Sequence, residues 1–212
     1  MKERNIFNCF SKKELAFFSK LNNPRKVQDF INSLKANFEE NGDTCMSPKS
    51  VLKKGKAHCV EGALLAATIL RFHGYEPLIL DLEATKEDYD HVIALFKVKG
   101  YWGSIGKSNH NFMRYRDPIY RNVRELVLSC FHEYFENKKG KKTLRMYSRP
   151  VNLKRFDEYN WMCSDEDVWF IPEHLAKIKH YRVLNKSQTR ILRNADNFEL
   201  KVGRIEQYSK KS

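Results

Sequence analysis

The chain has no apolar run approaching the roughly 20 residues that a membrane-spanning helix needs, so no membrane contact is expected. None of its five cysteines (Cys9, Cys45, Cys59, Cys130, Cys163) forms a CxxC pair. That argues against a zinc finger or a thioredoxin-type site, and no metal or organic cofactor is expected. An odd number of scattered thiols reads most simply as free cysteines in a reducing cytoplasm. The charged start, Met1 to Asn5, has no apolar stretch behind it, so no signal peptide is expected. Internal repeats and low-complexity segments are also missing. Acidic residues are absent from 137–155, which carries Lys138, Lys139, Lys141, Lys142, Arg145, Arg149, Lys154 and Arg155.

What is present suits one domain. The 212 residues are 42% hydrophobic and 13% aromatic, enough for a real core. The net charge of +13 centres on the basic block, which can hold phosphates by charge alone. No aromatic platform, helix-turn-helix or RNP-like motif accompanies it, so nucleic acid is at most a secondary partner. Residues 157–173 carry six acidic residues and no Lys or Arg. They are expected to fold back on the block and neutralise much of it.

Periodicity outlines the elements. Asn23-Pro24 reads as an N-cap followed by proline at the first helical position. The stripe Val27, Phe30, Ile31, Leu34, Phe38 predicts a helix running to Asn41-Gly42. Ser47-Pro48 opens a short basic helix closed by Gly55. Val60 to Phe72 is apolar nearly all round and predicts a buried central helix, with Gly74 after its end. Strands are expected at 78–82, 91–98 and 101–105, the last two joined at Lys99-Gly100. That turn sets Val98 opposite Tyr101, and therefore Ile93 opposite Gly106 and His91 opposite Ser108. A helix is expected over 121–136. Cys130 lies on its apolar stripe and reads as core, as do Trp161, Trp169 and Phe170. The tail from Tyr208 reads as frayed.

Cys59 is the most informative residue. A thiol at a helix N-terminus feels the positive end of the helix dipole, which favours thiolate. A histidine delivered from a neighbouring strand, His91, would complete a nucleophile–base pair. His58 is adjacent, but neighbours on a helix project about 100° apart, which disfavours it as the base. Cys9, Cys45 and Cys163 have no base placed near them.

This order resembles the transglutaminase-like superfamily of papain-like thiol folds. The resemblance rests on Gly55-Lys56-Ala57-His58-Cys59 with its helix, on Asp90 to Phe96, and on Gly100-Tyr101-Trp102. It covers roughly residues 50–110. It implies an α+β domain in which a buried Cys-bearing helix packs on a small antiparallel sheet. Residues 1–150 would form the domain, and 151–212 an extension packed on it. It further implies acyl transfer or hydrolysis at a peptide or protein amide, with Cys59 as nucleophile and His91 as base. Where the family carries its orienting Asp, this chain has Gly106. Ser104 and Ser108 share that face, with Asn109 adjacent and Asp117 more distant. Asn109, reached by a one-residue bulge, and Ser108 are the expected substitutes. The alternative is a catalytically degenerate scaffold that uses its basic surface on nucleic acid or an acidic partner.

Overall fold

A computed structural model describes residues 6–209. Met1 to Asn5 and residues 210–212 lie outside the described residues. The elements in chain order are α1 (Lys12–Lys20), α2 (Pro24–Ser33), β1 (Lys35–Ala36), α3 (Pro48–Lys54), β2 (Lys56–Ala57), α4 (Cys59–Phe72), β3 (Leu78–Glu83), β4 (His91–Val98), β5 (Tyr101–Ile105), β6 (Arg116–Tyr120), α5 (Val123–Cys130), β7 (Met146–Ser148), β8 (Val151–Asn152), α6 (Phe170–Lys177), β9 (His180–Arg182), α7 (Lys186–Arg190) and α8 (Asn197–Gly203). The class is α+β with an antiparallel sheet.

The sheet is larger than the sequence suggested. It has seven strands in the order β6-β5-β4-β3-β7-β9, with β8 also paired to β3. The β4–β5 hairpin keeps the expected register, Val98 opposite Tyr101. Both faces are covered, which explains the near-continuous burial of β4. Ile79, Val92, Ala94 and Phe96 join α4 in one core cluster. Leu80, Leu82, Ile93 and Leu95 join Leu126 and Val127 of α5 in a second. Leu64, Leu65, Ile69 and Leu70 of α4 are essentially inaccessible, and burying each stabilises the fold by roughly 2 kcal/mol.

Several expectations need correction. α2 stops at Ser33 rather than near Asn41. Its continuation is captured as β1, which pairs in parallel with β2, Lys35 with Lys56 and Ala36 with Ala57. Residues 116–120, assigned no element from sequence, form edge strand β6. The helix expected over 121–136 ends at Cys130 and tightens into a 3-10 turn at Phe131–Glu133.

Residues 151–209 are stitched into the same core. Arg71 of α4 makes two hydrogen bonds to Asp157, at 2.6 and 2.7 Å. The fully buried Trp161 donates to the same carboxylate. Trp169, expected in the core, is instead 41% exposed. Asp157 is thus taken by Arg71, while Lys154 and Lys142 of the basic block pair with Glu76 and Glu199. The cysteine reading also changes. Cys9 and Cys163 form a disulfide across 154 residues, leaving Cys45, Cys59 and Cys130 free. Such a separation carries no sequence signal, because only the packing of the first and last thirds brings the two together. No helix is long and apolar enough to cross a membrane among the described residues.

Candidate active site

Cys59 is the first residue of α4 and keeps partial exposure. The backbone N–H groups of this first turn have no carbonyl within the helix to pair with, so they are available to an anion. The helix is capped from within. Glu61, three residues after the N-cap His58, accepts from the His58 N–H at 2.9 Å, the reciprocal half of a capping box.

Glu61 is fully buried. Its Oε1 also accepts from Thr44 Oγ1 at 2.8 Å and the Met46 N–H at 3.0 Å, and its Oε2 from Asn37 Nδ2 at 3.0 Å. Each of its oxygens therefore has at least two donors. Donors on both oxygens are what a buried carboxylate requires. The β1–β2 pairing delivers Asn37, whose N–H bonds the Ala57 carbonyl.

His58 is not on the helix. Its backbone is extended, φ −94° and ψ −172°. The helical projection argument against it therefore does not apply. Its Nε2 lies 2.8 Å from the Thr44 carbonyl, 3.4 Å from Glu61 Oε1 and 3.7 Å from Glu39 Oε1. A carbonyl only accepts, so Nε2 carries a proton and Nδ1 is the nitrogen left for Cys59. Burial pulls the His58 pKa down. The hydrogen bond to Cys59, the charges of Cys59 and Glu61, and the Thr44 carbonyl outweigh it and raise the value to about 9.

His91, the first residue of β4, is the second imidazole that acts on the Cys59 thiol. By strand alternation it belongs to the α5 side of the sheet, with Ile93 and Leu95. It lines a cavity of about 180 Å³ there with Asp88, Asp90, Ser108 and Glu133. Its Nε2 is buried and without a hydrogen-bond partner. Burial pushes the Cys59 thiol up, but hydrogen bonds from His58 and His91, and the charges of both rings, hold it well below its ordinary value.

The expected third members behave differently. Ser108 shares the His91 cavity and accepts from the His110 N–H. Asn109 is not brought to His91. Its Nδ2 donates to the Tyr208 carbonyl at 2.9 Å and its Oδ1 accepts the Tyr208 N–H at 2.9 Å. This clamp also means that the tail is pinned through Tyr208 rather than frayed there. The β4–β5 ladder ends at Ala94 with Ile105, before any register shift that would bring Asn109 inward. A Cβ at Gly106 would lie 2.3 Å from the Met113 carbonyl, so no orienting side chain fits there. Gln28 reads the Gly106 backbone instead, accepting its N–H and donating to its carbonyl. Asp117 is exposed on β6.

On the α4 side of the sheet lies a second pair that sequence reasoning missed. Asp81 Oδ2 is 3.0 Å from His180 Nε2, both side chains are nearly inaccessible, and both line a cleft of about 420 Å³ with Val60 and Asp90. Nδ1 of His180 faces the Ile178 carbonyl at 2.9 Å. Both ring nitrogens thus face oxygens, so the pair shares a proton as imidazolium–carboxylate or imidazole–carboxylic acid. Burial, with the charges of Asp90 and Cys59, raises Asp81 to about 6 against the His180 hydrogen bond. Nothing local signals a pairing across 99 residues. Glu61 did have a signal, the capping-box spacing from His58. Among the described residues no cluster of His, Cys, Asp and Glu is arranged to hold a metal ion. No protein-family model and no curated protein sequence matches the chain.

Proposed function

We propose that this chain is a transglutaminase-like thiol protein that performs acyl transfer or hydrolysis at a peptide or protein amide. Cys59 is the nucleophile and His91 the proton carrier. The observation that carries the reading is a half-buried cysteine at the first position of a buried helix, with two imidazoles that lower its pKa. Thiolate at neutral pH is what nucleophilic attack on a carbonyl needs. The open first-turn N–H groups would then hold the developing oxyanion.

The test is acyl-enzyme trapping with p-nitrophenyl acetate, read site by site by mass spectrometry. Acetyl is expected on Cys59 and not on the buried Cys45 or Cys130. His91→Gln is expected to accumulate the acetyl-enzyme, because the attacking water loses its base. If Cys59 stays unmodified, or is labelled no faster than Cys45, the reading fails. The basic surface at 137–155 then becomes the place to seek a function.

A further inference from the structure

The two histidines around Cys59 are held in unlike ways, and the difference assigns them different work. Nε2 of His58 is tied to the Thr44 carbonyl, which leaves Nδ1 for the sulfur. Glu61 sits 3.4 Å behind the ring, and Glu61 is itself locked by Asn37, Thr44, Met46 and the His58 N–H. His91 has no such support. Its Nε2 is buried and unpartnered, and the residue lines a cavity.

We infer that His58, not His91, is the imidazolium that holds Cys59 as a thiolate in the resting protein, with Glu61 as the positioning carboxylate that the Gly106 strand lacks. This rests on the reading of Cys59 as the nucleophile. The thiol proton passes from Sγ to Nδ1 of His58 and stays there through the cycle. His91 is then the only one of the two that exchanges protons with substrate. Protonated, it gives its proton to the leaving amine as the S–C bond forms and the C–N bond breaks. Now neutral, it takes a proton from the water that attacks the thioester. The acid product leaves, the thiolate returns, and His91 is protonated again. Amide plus water becomes acid plus amine, with no other reactant.

The groups facing His58 agree with a permanent cation. Glu61 and Cys59 approach from α4, and Glu39 and the Thr44 carbonyl from the 37–46 segment. His91 acts on the same thiol from the β4 side. The neighbouring Cys45 stays a neutral thiol, because burial, with the charges of Glu61, Asp167 and Cys59, pushes it up to about 12.

The experiment is the pH dependence of Cys59 alkylation by iodoacetamide, read by mass spectrometry in wild type, His58→Gln and His91→Gln. Wild type and His91→Gln are expected to alkylate rapidly at pH 6, within about threefold of each other. His58→Gln is expected to be slower on the order of 100-fold there, since an ordinary thiol is almost wholly protonated at pH 6. The reverse pattern, loss in His91→Gln and retention in His58→Gln, overturns the assignment and leaves Cys59 as nucleophile. Loss in neither variant also overturns it. Slow alkylation in wild type itself overturns both this and the function proposed above. Should His58→Gln fail to fold, wild type supplies the same answer by NMR. His58 should stay charged past pH 8 and titrate near its ordinary value once methyl methanethiosulfonate blocks Cys59. A His58 that ignores the block refutes the pairing.

Discussion

The two flanks of Cys59 are built on opposite principles. On the side of residues 37–61, polar groups are matched to partners. A fully buried carboxylate takes donors on both oxygens, and one of those donors is the backbone of His58, beside Cys59. On the side of β4 and the 106–115 loop, a histidine nitrogen is buried without a partner, on a residue that lines a cavity. Matched groups resist motion and keep a charge where it is. An unmatched group stores a cost of about 1–3 kcal/mol that a bound partner can relieve. The first flank is suited to holding a proton and the second to passing one on.

The largest effect that would sharpen this contrast is kinetic. His91→Gln is expected to lower thioester or amide turnover on the order of 10²–10⁴-fold while leaving the urea unfolding midpoint near wild type. A stability loss as large as the activity loss would erase the contrast, because His91 would then be structural too.

Next comes Glu61→Gln, expected to destabilise the fold by roughly 3 kcal/mol in urea unfolding, since the amide NH₂ faces donors that a carboxylate had satisfied. A loss below about 1 kcal/mol would show the 37–61 network to be far softer than its hydrogen bonds suggest.

The pH dependence of stability follows. His58 is raised from 6.5 to about 9, so its contribution is full below 6.5 and lost as pH rises through about 9. Cys59 is depressed, so its contribution is full above 9 and lost as pH falls through its folded value. Between about 6.5 and 9 the folded pair holds one proton on His58 and the unfolded chain one on the thiol. The counts match and the pair adds no slope there. Below 6.5 the unfolded chain binds a second proton, and stability falls on acidification. The difference in unfolding free energy between wild type and Cys59→Ser is therefore expected to be flat from pH 7 to 8.5 and to shrink toward pH 5. A difference that slopes steadily between 7 and 8.5 would mean the proton is not held on His58.

The smallest effect belongs to the outer layer of the open flank. Asn109→Ala removes two bonds to Tyr208 and should cost about 1 kcal/mol. Amide exchange should speed up at 205–208 and in the 106–115 loop, with Cys59 alkylation unchanged. Altered alkylation would mean that the tail clamp reaches the thiol after all.

Much of the frame was legible in the sequence because its signals are short-ranged. Asn23-Pro24 and Ser47-Pro48 start helices through bonds to residues three positions on. Gly55 and Gly74 end helices at positive φ. The Lys99-Gly100 turn set the hairpin register. Reading failed where a local preference was overridden from a distance. The stripe through Leu34 is helical in pattern, yet the Lys35 N–H and Asn37 N–H go to the carbonyls of Gly55 and Ala57. His58 reads from sequence as a helical neighbour of Cys59, yet its extended backbone takes it off the helix, and its ring acts on the thiol.

The sequence alone determined that a thiol opens a buried helix, that a histidine opens a strand some thirty residues later, and that a hairpin turn returns the chain as the next strand. Only the tertiary structure decided that Cys59 meets two histidines, that Glu61 is clamped by residues from 37 to 46, that Asp81 finds His180, and that Cys9 bonds Cys163. The reason is the range of the forces involved. Caps, turns and periodicity act within about four residues. Charge pairing and burial depend on which segments the sheet and its two covering layers bring side by side.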